Sequence, residues 1–135
     1  MTGEAEKLAL DYFDKGYNCA QSVFLAFAGQ AGLDEATAAK LALSFGGGMG
    51  GMGEVCGALS GALMAAGLLL GGGAPLSPEA KEAHYALVKD LGEAFRQAQG
   101  SLLCRDLKPQ DPALRDQVCG GCVSLAARLL ADKIK

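Results

Sequence analysis

The sequence of 135 residues predicts an all-α fold, a compact bundle of about six helices around a buried central helix. Apolar residues make up 50% of the chain, and much of that fraction is Ala and Leu, which favour helices. Helix-capping residues recur along the chain, and Gly and Pro separate apolar segments with helical period. The length is typical of one domain, so we expect residues 1–135 to form a single unit.

Start and stop signals delimit each predicted helix. Asn18 and Asp34 are N-cap residues, and Ser77 followed by Pro78 combines an N-cap hydroxyl with proline in the first turn. In the first helix, apolar spacing predicts that Leu8, Tyr12 and Phe13 face the core. The predicted helices cover residues 4–15, 19–31, 35–45, 55–70, 78–99 and 122–133, with one further turn opened at 111–112.

A glycine-rich segment precedes the predicted central helix. Residues 46–53 contain six glycines in eight positions, which disfavours a regular helix or strand and predicts a loop that lets the chain pass close to the following segment. Residues 55–70 are uncharged and form the predicted central helix. At 1.5 Å per residue this helix rises about 24 Å, less than the roughly 30 Å of a bilayer core, so we expect no membrane span.

The charge composition excludes several classes of partner. Fifteen acidic and twelve basic side chains give a formal charge of -3, and no basic cluster is available to bind the phosphates of nucleic acid. The glycine-rich segment lacks the lysine of a phosphate-binding loop. The first residues lack the basic and apolar regions of a secretory signal, so a cytoplasmic location is expected.

Five cysteines are the residues best suited to chemistry. In a reducing compartment, such a set favours metal binding or redox chemistry over permanent disulfides. Cys19 follows the cap Asn18, Cys56 opens the central helix, and Cys119 with Cys122 lies at the predicted entry to the last helix. Backbone amides at a helix start lower the pKa of a thiol, which favours the reactive thiolate. Burial as inert core residues is the alternative for any single cysteine.

Two glycines accompany the central cysteine. Gly57 and Gly61 lie four residues apart on one helical face beside Cys56, where the missing side chains allow a second backbone or a cofactor to approach. Tight helix packing alone is the alternative. Cys119 and Cys122 have the spacing of a dithiol redox pair, although no βαβ unit supplies a thioredoxin-like context.

Three motifs resemble the family of redox-active cysteine proteins called C_GCAxxG_C_C. They are NCAQS at 18–22, FGGGMG at 45–50 and CGALSGA at 56–62. Four cysteines mark that family and match Cys19, Cys56, Cys104 and Cys119, whereas Cys122 is an addition. Similar sequence also occurs in split-Soret cytochromes, which carry an iron–sulfur centre. The chain lacks the Cys-x-x-Cys-His sequence of a c-type haem site.

Two functions follow from the residues and the resemblance together. In the first, Cys19, Cys56, Cys104 and Cys119 converge in a redox-type domain. They either exchange electrons by thiol–disulfide chemistry with an unidentified donor or acceptor, or hold an iron–sulfur cluster as metal ligands, with Gly57 and Gly61 beside the cofactor. In the second, the chain is a non-catalytic soft-metal-binding or helical assembly module, and a homodimer is one such assembly. His84 falls within a predicted helix, where a surface or packing role is favoured over metal ligation.

Overall fold

Six helices of nine or more residues build the structure, a computed structural model that describes residues 2–73 and 75–134. The predicted all-α fold is therefore confirmed. The six helices are α1 (Thr2–Asp14), α2 (Cys19–Ala28), α3 (Glu35–Leu43), α5 (Gly57–Leu70), α6 (Pro78–Gln99) and α8 (Arg115–Ile134). Single turns are α4 (Gly46–Met49) and α7 (Cys104–Leu107), and 3-10 turns lie at Gly29–Ala31 and Pro112–Leu114.

Helix α2 is the most enclosed element of the bundle. Every residue from 20 to 28 is buried, and the helix packs against α1, α3, α5 and α8. Helix α5 is buried along its first turns, but Leu68 and Leu70 near its end are exposed. The prediction that residues 55–70 form the enclosed central helix is therefore not confirmed. Within the described residues, no helix is both long and apolar enough to cross a membrane.

The start of α2 is held by a capping box that also ties it to α3. The side chain of Asn18 accepts a hydrogen bond from the Gln21 amide at 2.8 Å, and the Gln21 side chain accepts one from the Asn18 amide at 3.0 Å. Asn18 Nδ2 donates to the Leu43 carbonyl at 3.0 Å, and Gln21 Nε2 donates to the Ala39 carbonyl at 2.9 Å. These bonds explain why the motif at 18–22 contains both Asn18 and Gln21, since each side-chain amide bonds to the start of α2 and to α3. The N-caps predicted at Asp34 and Ser77 are also present.

Replacing Asn18 with Ala is expected to destabilise the protein by about 1–2 kcal/mol, because it removes both the cap and the bond to α3. Ser77→Ala is the matched control, since Ser77 caps the exposed start of α6 through the Ala80 amide alone. Its expected cost is about 1 kcal/mol or less. Urea unfolding measures both. Equal losses in the two variants would show that the bond between helices contributes nothing.

Helix α1 presents a different face from the one predicted. Ala9 is fully buried, Tyr12 and Phe13 are partly buried, and Leu8 is 41% exposed. The prediction that Leu8 faces the core is wrong. The small side chain of Ala9 lies on the side that packs against α2 and α8, which allows these helices to approach closely.

Helix α8 begins at Arg115, seven residues before the predicted start, and continues through Gly120 and Gly121. The prediction that Cys119 and Cys122 lie at a helix start is therefore wrong. Glycine in a helix costs on the order of 1 kcal/mol, but packing of α8 against α1, α2 and α5 offsets this cost. A Cβ atom at Gly120 would lie 3.8 Å from the ring of Phe13, an ordinary contact distance.

Candidate thiol site

All five cysteines line one cavity of about 270 Å³, between the starts of α2 and α5 on one side and α7 with the first turns of α8 on the other. Each is a free thiol. His84 does not line this cavity. The other lining residues are Phe13, Asn18, Gly47, Gly51, Gly57, Leu107, Lys108, Arg115, Asp116 and Val118.

Cys19 occupies the first turn of α2 and packs directly on α5. A Cβ atom at Gly57 would overlap Cys19 Sγ, and one at Gly61 would lie 2.5 Å from the backbone oxygen of Ala20. The two glycines therefore allow α2 and α5 to approach with almost no side chains between them, and Cys19 lies next to the start of α5. Gly57 lines the cavity, whereas Gly61 contacts the backbone of α2 outside it. A cofactor contact at Gly61 is not confirmed.

Backbone hydrogen bonds position Cys56 and Cys104 beside each other. The amide of Cys56 donates to the Leu102 carbonyl at 2.7 Å, and the amide of Cys104 donates to the Glu54 carbonyl at 2.7 Å. An isolated antiparallel bridge lies between these two bonds. These bonds join residues 53–56 to residues 102–105, and each segment carries one cysteine, Cys56 or Cys104.

The glycine-rich segment packs against this junction. Gly48 has a φ of 73°, and a Cβ atom there would lie 2.6 Å from the Glu54 amide nitrogen and 2.7 Å from Cys104 Cβ. Only glycine fits this position without displacing its neighbours. The backbone amide of Gly47 donates a hydrogen bond to the Cys19 sulfur. The close passage predicted for residues 46–53 is therefore present.

Cys56 is the N-cap residue of α5, and its side chain is 6% exposed. A hydrogen bond from the Cys122 thiol lowers the pKa of Cys56, and the backbone amides of Leu59 and Ala58 lower it further, so that the pKa is about 7 although burial opposes ionisation. Cys56 therefore ionises at lower pH than an ordinary thiol.

The other four thiols are shifted in the opposite direction. The hydrogen bond to Cys56 and burial raise the pKa of Cys122, because its proton is shared with the Cys56 thiolate. Burial raises the pKa of Cys119 to about 11, and the charges of Cys19 and Cys56 add to this effect. Burial is also the largest cause that raises the pKa of Cys19 and of Cys104. One thiolate thus faces a group of protonated thiols.

Glu54, two residues before Cys56, forms an ion pair with Arg105. Its carboxylate pairs with Arg105, with 2.5 Å between Arg105 Nη2 and Glu54 Oε1, and both side chains are about half exposed. A carboxylate aimed at the sulfur would have raised the thiol pKa. The pairing with Arg105 leaves the helix amides and Cys122 as the groups that favour the thiolate.

Cys122 lies outside the four-cysteine family pattern, and its spacing in the sequence paired it with Cys119 and not with Cys56. It is 2% exposed and lies one helical turn after Cys119, on the same side of α8. The spacing of three residues was the available signal, but it does not reveal that Cys122 shares a cavity with Cys56. In the described part of the chain, no three His, Cys, Asp or Glu side chains are grouped closely enough to hold a metal ion.

Comparison with known proteins gives one family. The family model described as "Putative redox-active protein (C_GCAxxG_C_C)" matches residues 17–133. No curated protein and no solved structure matches the chain. The matched range contains the glycine-rich segment and all five cysteines of the cavity, and it spans most of the sequence. The chain therefore belongs to the C_GCAxxG_C_C family.

Proposed function

We propose that the cavity is a thiol–disulfide redox site in which Cys56 is the attacking thiolate and Cys122 is the second thiol of the reactive pair. The observation that carries this proposal is the position of Cys56, the N-cap residue of α5, on the wall of one cavity together with Cys122. The interaction with Cys122 lowers the pKa of Cys56. A thiol near its pKa at neutral pH combines a substantial thiolate fraction with good nucleophilicity. A protonated thiol beside it is available for the second step.

The chemistry proceeds through a mixed disulfide. The Cys56 thiolate attacks one sulfur of a disulfide R–S–S–R, the Cys56–S–R bond forms, the substrate S–S bond breaks, and one RS⁻ leaves. Cys122 then loses its proton to the departing RS⁻ or to water. Its thiolate attacks the Cys56 sulfur and releases the second RS⁻. The two cysteines are oxidised to one disulfide, and the substrate is reduced to two thiols.

Counting the released thiols tests this sequence of steps. The reduced protein, mixed with excess 2-hydroxyethyl disulfide, is expected to release two equivalents of mercaptoethanol and to contain a Cys56–Cys122 disulfide by peptide mapping. Cys122→Ser is expected to release one equivalent and to retain mercaptoethanol on Cys56. A disulfide that joins other cysteines and leaves Cys56 free would refute the proposal. Two equivalents released by Cys122→Ser would assign the second step to a different thiol.

An iron–sulfur or soft-metal site is the second candidate. It is favoured by the position of Cys19, Cys56, Cys104 and Cys119, the four that match the family pattern, on the wall of one cavity. Thiolates are the usual ligands of iron–sulfur clusters. The described side chains do not fit such a group as they stand, because no three of them share a metal-binding position. Side-chain rotation would have to precede binding.

Anaerobic purification separates these candidates. Stoichiometric iron with acid-labile sulfide and a visible absorption band would support the cluster and displace the dithiol proposal. A stoichiometric soft metal without sulfide would support the binding module. Protein that contains neither and carries five titratable thiols is the result expected for the dithiol site.

A further inference from the structure

We infer that the oxidant accepted by this site is a small, negatively charged disulfide, selected by Lys108 and Arg115, and not the disulfide of a folded protein. This inference rests on the proposed thiol–disulfide function and names its substrate class. Two independent properties of the cavity support it, namely its size and the charges on its wall.

The size of the cavity limits what can reach Cys56. Its volume of about 270 Å³ is near the lower end of small-molecule pockets, which hold roughly 300–1,000 Å³. Cys56 and Cys122 are 6% and 2% exposed, so the reacting sulfurs lie within the cavity and not on the protein surface. Attack requires the substrate S–S bond to point at the Cys56 sulfur. A small disulfide can enter in this orientation, whereas a disulfide held between two segments of a folded protein would meet the wall first.

The charges on the wall favour an anion. Lys108 and Arg115 line the cavity, and both lower the pKa of Cys104, so their electrostatic effect reaches a thiol on the cavity wall. The described structure shows no ion pair at either cation, and Asp116 supplies the single carboxylate of the cavity lining. Two cations against one carboxylate give a net positive wall before Cys56 ionises.

The same cations act on the approach of the substrate. As an anionic disulfide enters the cavity toward Cys56, the positive charges on the wall attract it and raise its local concentration. Both side chains are exposed, so solvent and salt screen them. The expected preference for an anionic disulfide over a cationic one is therefore modest, on the order of threefold to tenfold at low salt.

Three small disulfides of similar size test the charge selection. They are dithiodiglycolate, a dianion; 2-hydroxyethyl disulfide, which is neutral; and cystamine, a dication. Second-order rate constants for thiol release at pH 7 are each divided by the rate constant of the same disulfide with free N-acetylcysteine amide, which has no charged group besides its thiolate, and this corrects for intrinsic reactivity. The corrected rates are expected to fall in the order dianion, neutral, dication, and to converge at high salt.

Two double variants that remove the same charge distinguish the effect of the cations on the cavity wall from the effect of net charge. In the double variant Lys108→Gln/Arg115→Gln, the ratio of dianion to dication rates is expected to fall close to one. The double variant Lys81→Gln/Lys89→Gln removes the same charge from exposed positions on α6 outside the cavity, and its ratio is expected to stay unchanged. An equal fall in both double variants would overturn the assignment to Lys108 and Arg115.

The remaining outcomes distinguish this inference from the function on which it rests. Equal corrected rates for the three disulfides in the unaltered protein would overturn charge selection and leave the thiol site intact. Oxidation of Cys56 by oxidised thioredoxin, a protein disulfide, as fast as by dithiodiglycolate would overturn the size limit. No reaction of Cys56 with any of the disulfides would refute the proposed function itself.

Discussion

Replacing Cys56 with Ser is expected to slow alkylation of the reduced, metal-free protein at pH 7 by about tenfold or more. With a pKa of about 7, a large fraction of Cys56 is ionised at this pH, whereas an ordinary thiol is ionised to only about 1–3%. The other four thiols have a pKa above the ordinary value and contribute less. The measurement is the iodoacetamide reaction rate of each cysteine from pH 5.5 to 9.5, followed by peptide mass spectrometry.

The alkylation rate of Cys56 is expected to depend on pH in a defined direction. The rate at Cys56 is expected to rise through pH 6–8 and then level, because a thiol with a lowered pKa ionises at lower pH than a free one. A midpoint near 8.5 at an accessible Cys56 would contradict the assignment. The groups around it that titrate or carry charge are Cys19, Cys104, Cys119, Cys122, Lys108, Arg115 and Asp116.

Two substitutions at Cys122 isolate its contribution. Cys122→Ala removes the hydrogen-bond donor, so the midpoint of Cys56 is expected to move to higher pH and its rate at pH 7 to fall several-fold. Cys122→Ser keeps a donor and is expected to preserve the midpoint, although it cannot form the disulfide. An unchanged midpoint in the Ala variant would show that the helix amides alone lower the pKa.

Gly61→Ala is expected to lower the free energy of unfolding by about 1–3 kcal/mol. Its new methyl group would lie 2.5 Å from the backbone oxygen of Ala20 and 3.2 Å from Val23 Cβ. Both neighbours are fully buried, and the clash with Ala20 involves backbone, so α2 and α5 would have to separate. Urea unfolding with the slope fixed between variants measures the loss.

Gly67→Ala supplies the control within the same helix. A Cβ atom at Gly67 has no neighbour within 4 Å, so only helix propensity changes, and a gain of about 0.5–1 kcal/mol is expected. The same Gly→Ala substitution is thus expected to lower the free energy of unfolding at Gly61 and to raise it at Gly67. If both variants were stabilised, close packing between α2 and α5 would not be the reason for glycine at position 61.

Local signals allowed most helices to be predicted. The caps at Asn18, Asp34 and Ser77 are decided by residues within one turn, and the structure contains all three. The early start of α8 could not be predicted in this way, because Gly120 and Gly121 are helix breakers locally and are held in the helix by packing against α1, α2 and α5.

The site was predictable in part. Helix starts indicated Cys19 and Cys56, a wrongly placed helix start indicated Cys119 with Cys122, and the resemblance added Cys104. Convergence on one cavity depends on the bonds between residues 53–56 and 102–105, which no periodic pattern reveals. Lys108 and Arg115 were missed for the same reason, since they flank an irregular segment with no apolar spacing to orient them. The roles of the five thiols stay predictions.

The dependence of Cys56 on a thiol carried by α8 has a consequence for the newly made chain. Until α8 packs against α5, Cys56 lacks both the Cys122 thiol and an enclosed cavity, and its pKa is expected to be higher than in the folded protein. Reactivity therefore appears together with tertiary structure. A partly folded chain is less exposed to premature oxidation, because the nucleophile is created by the same packing step that restricts access to it.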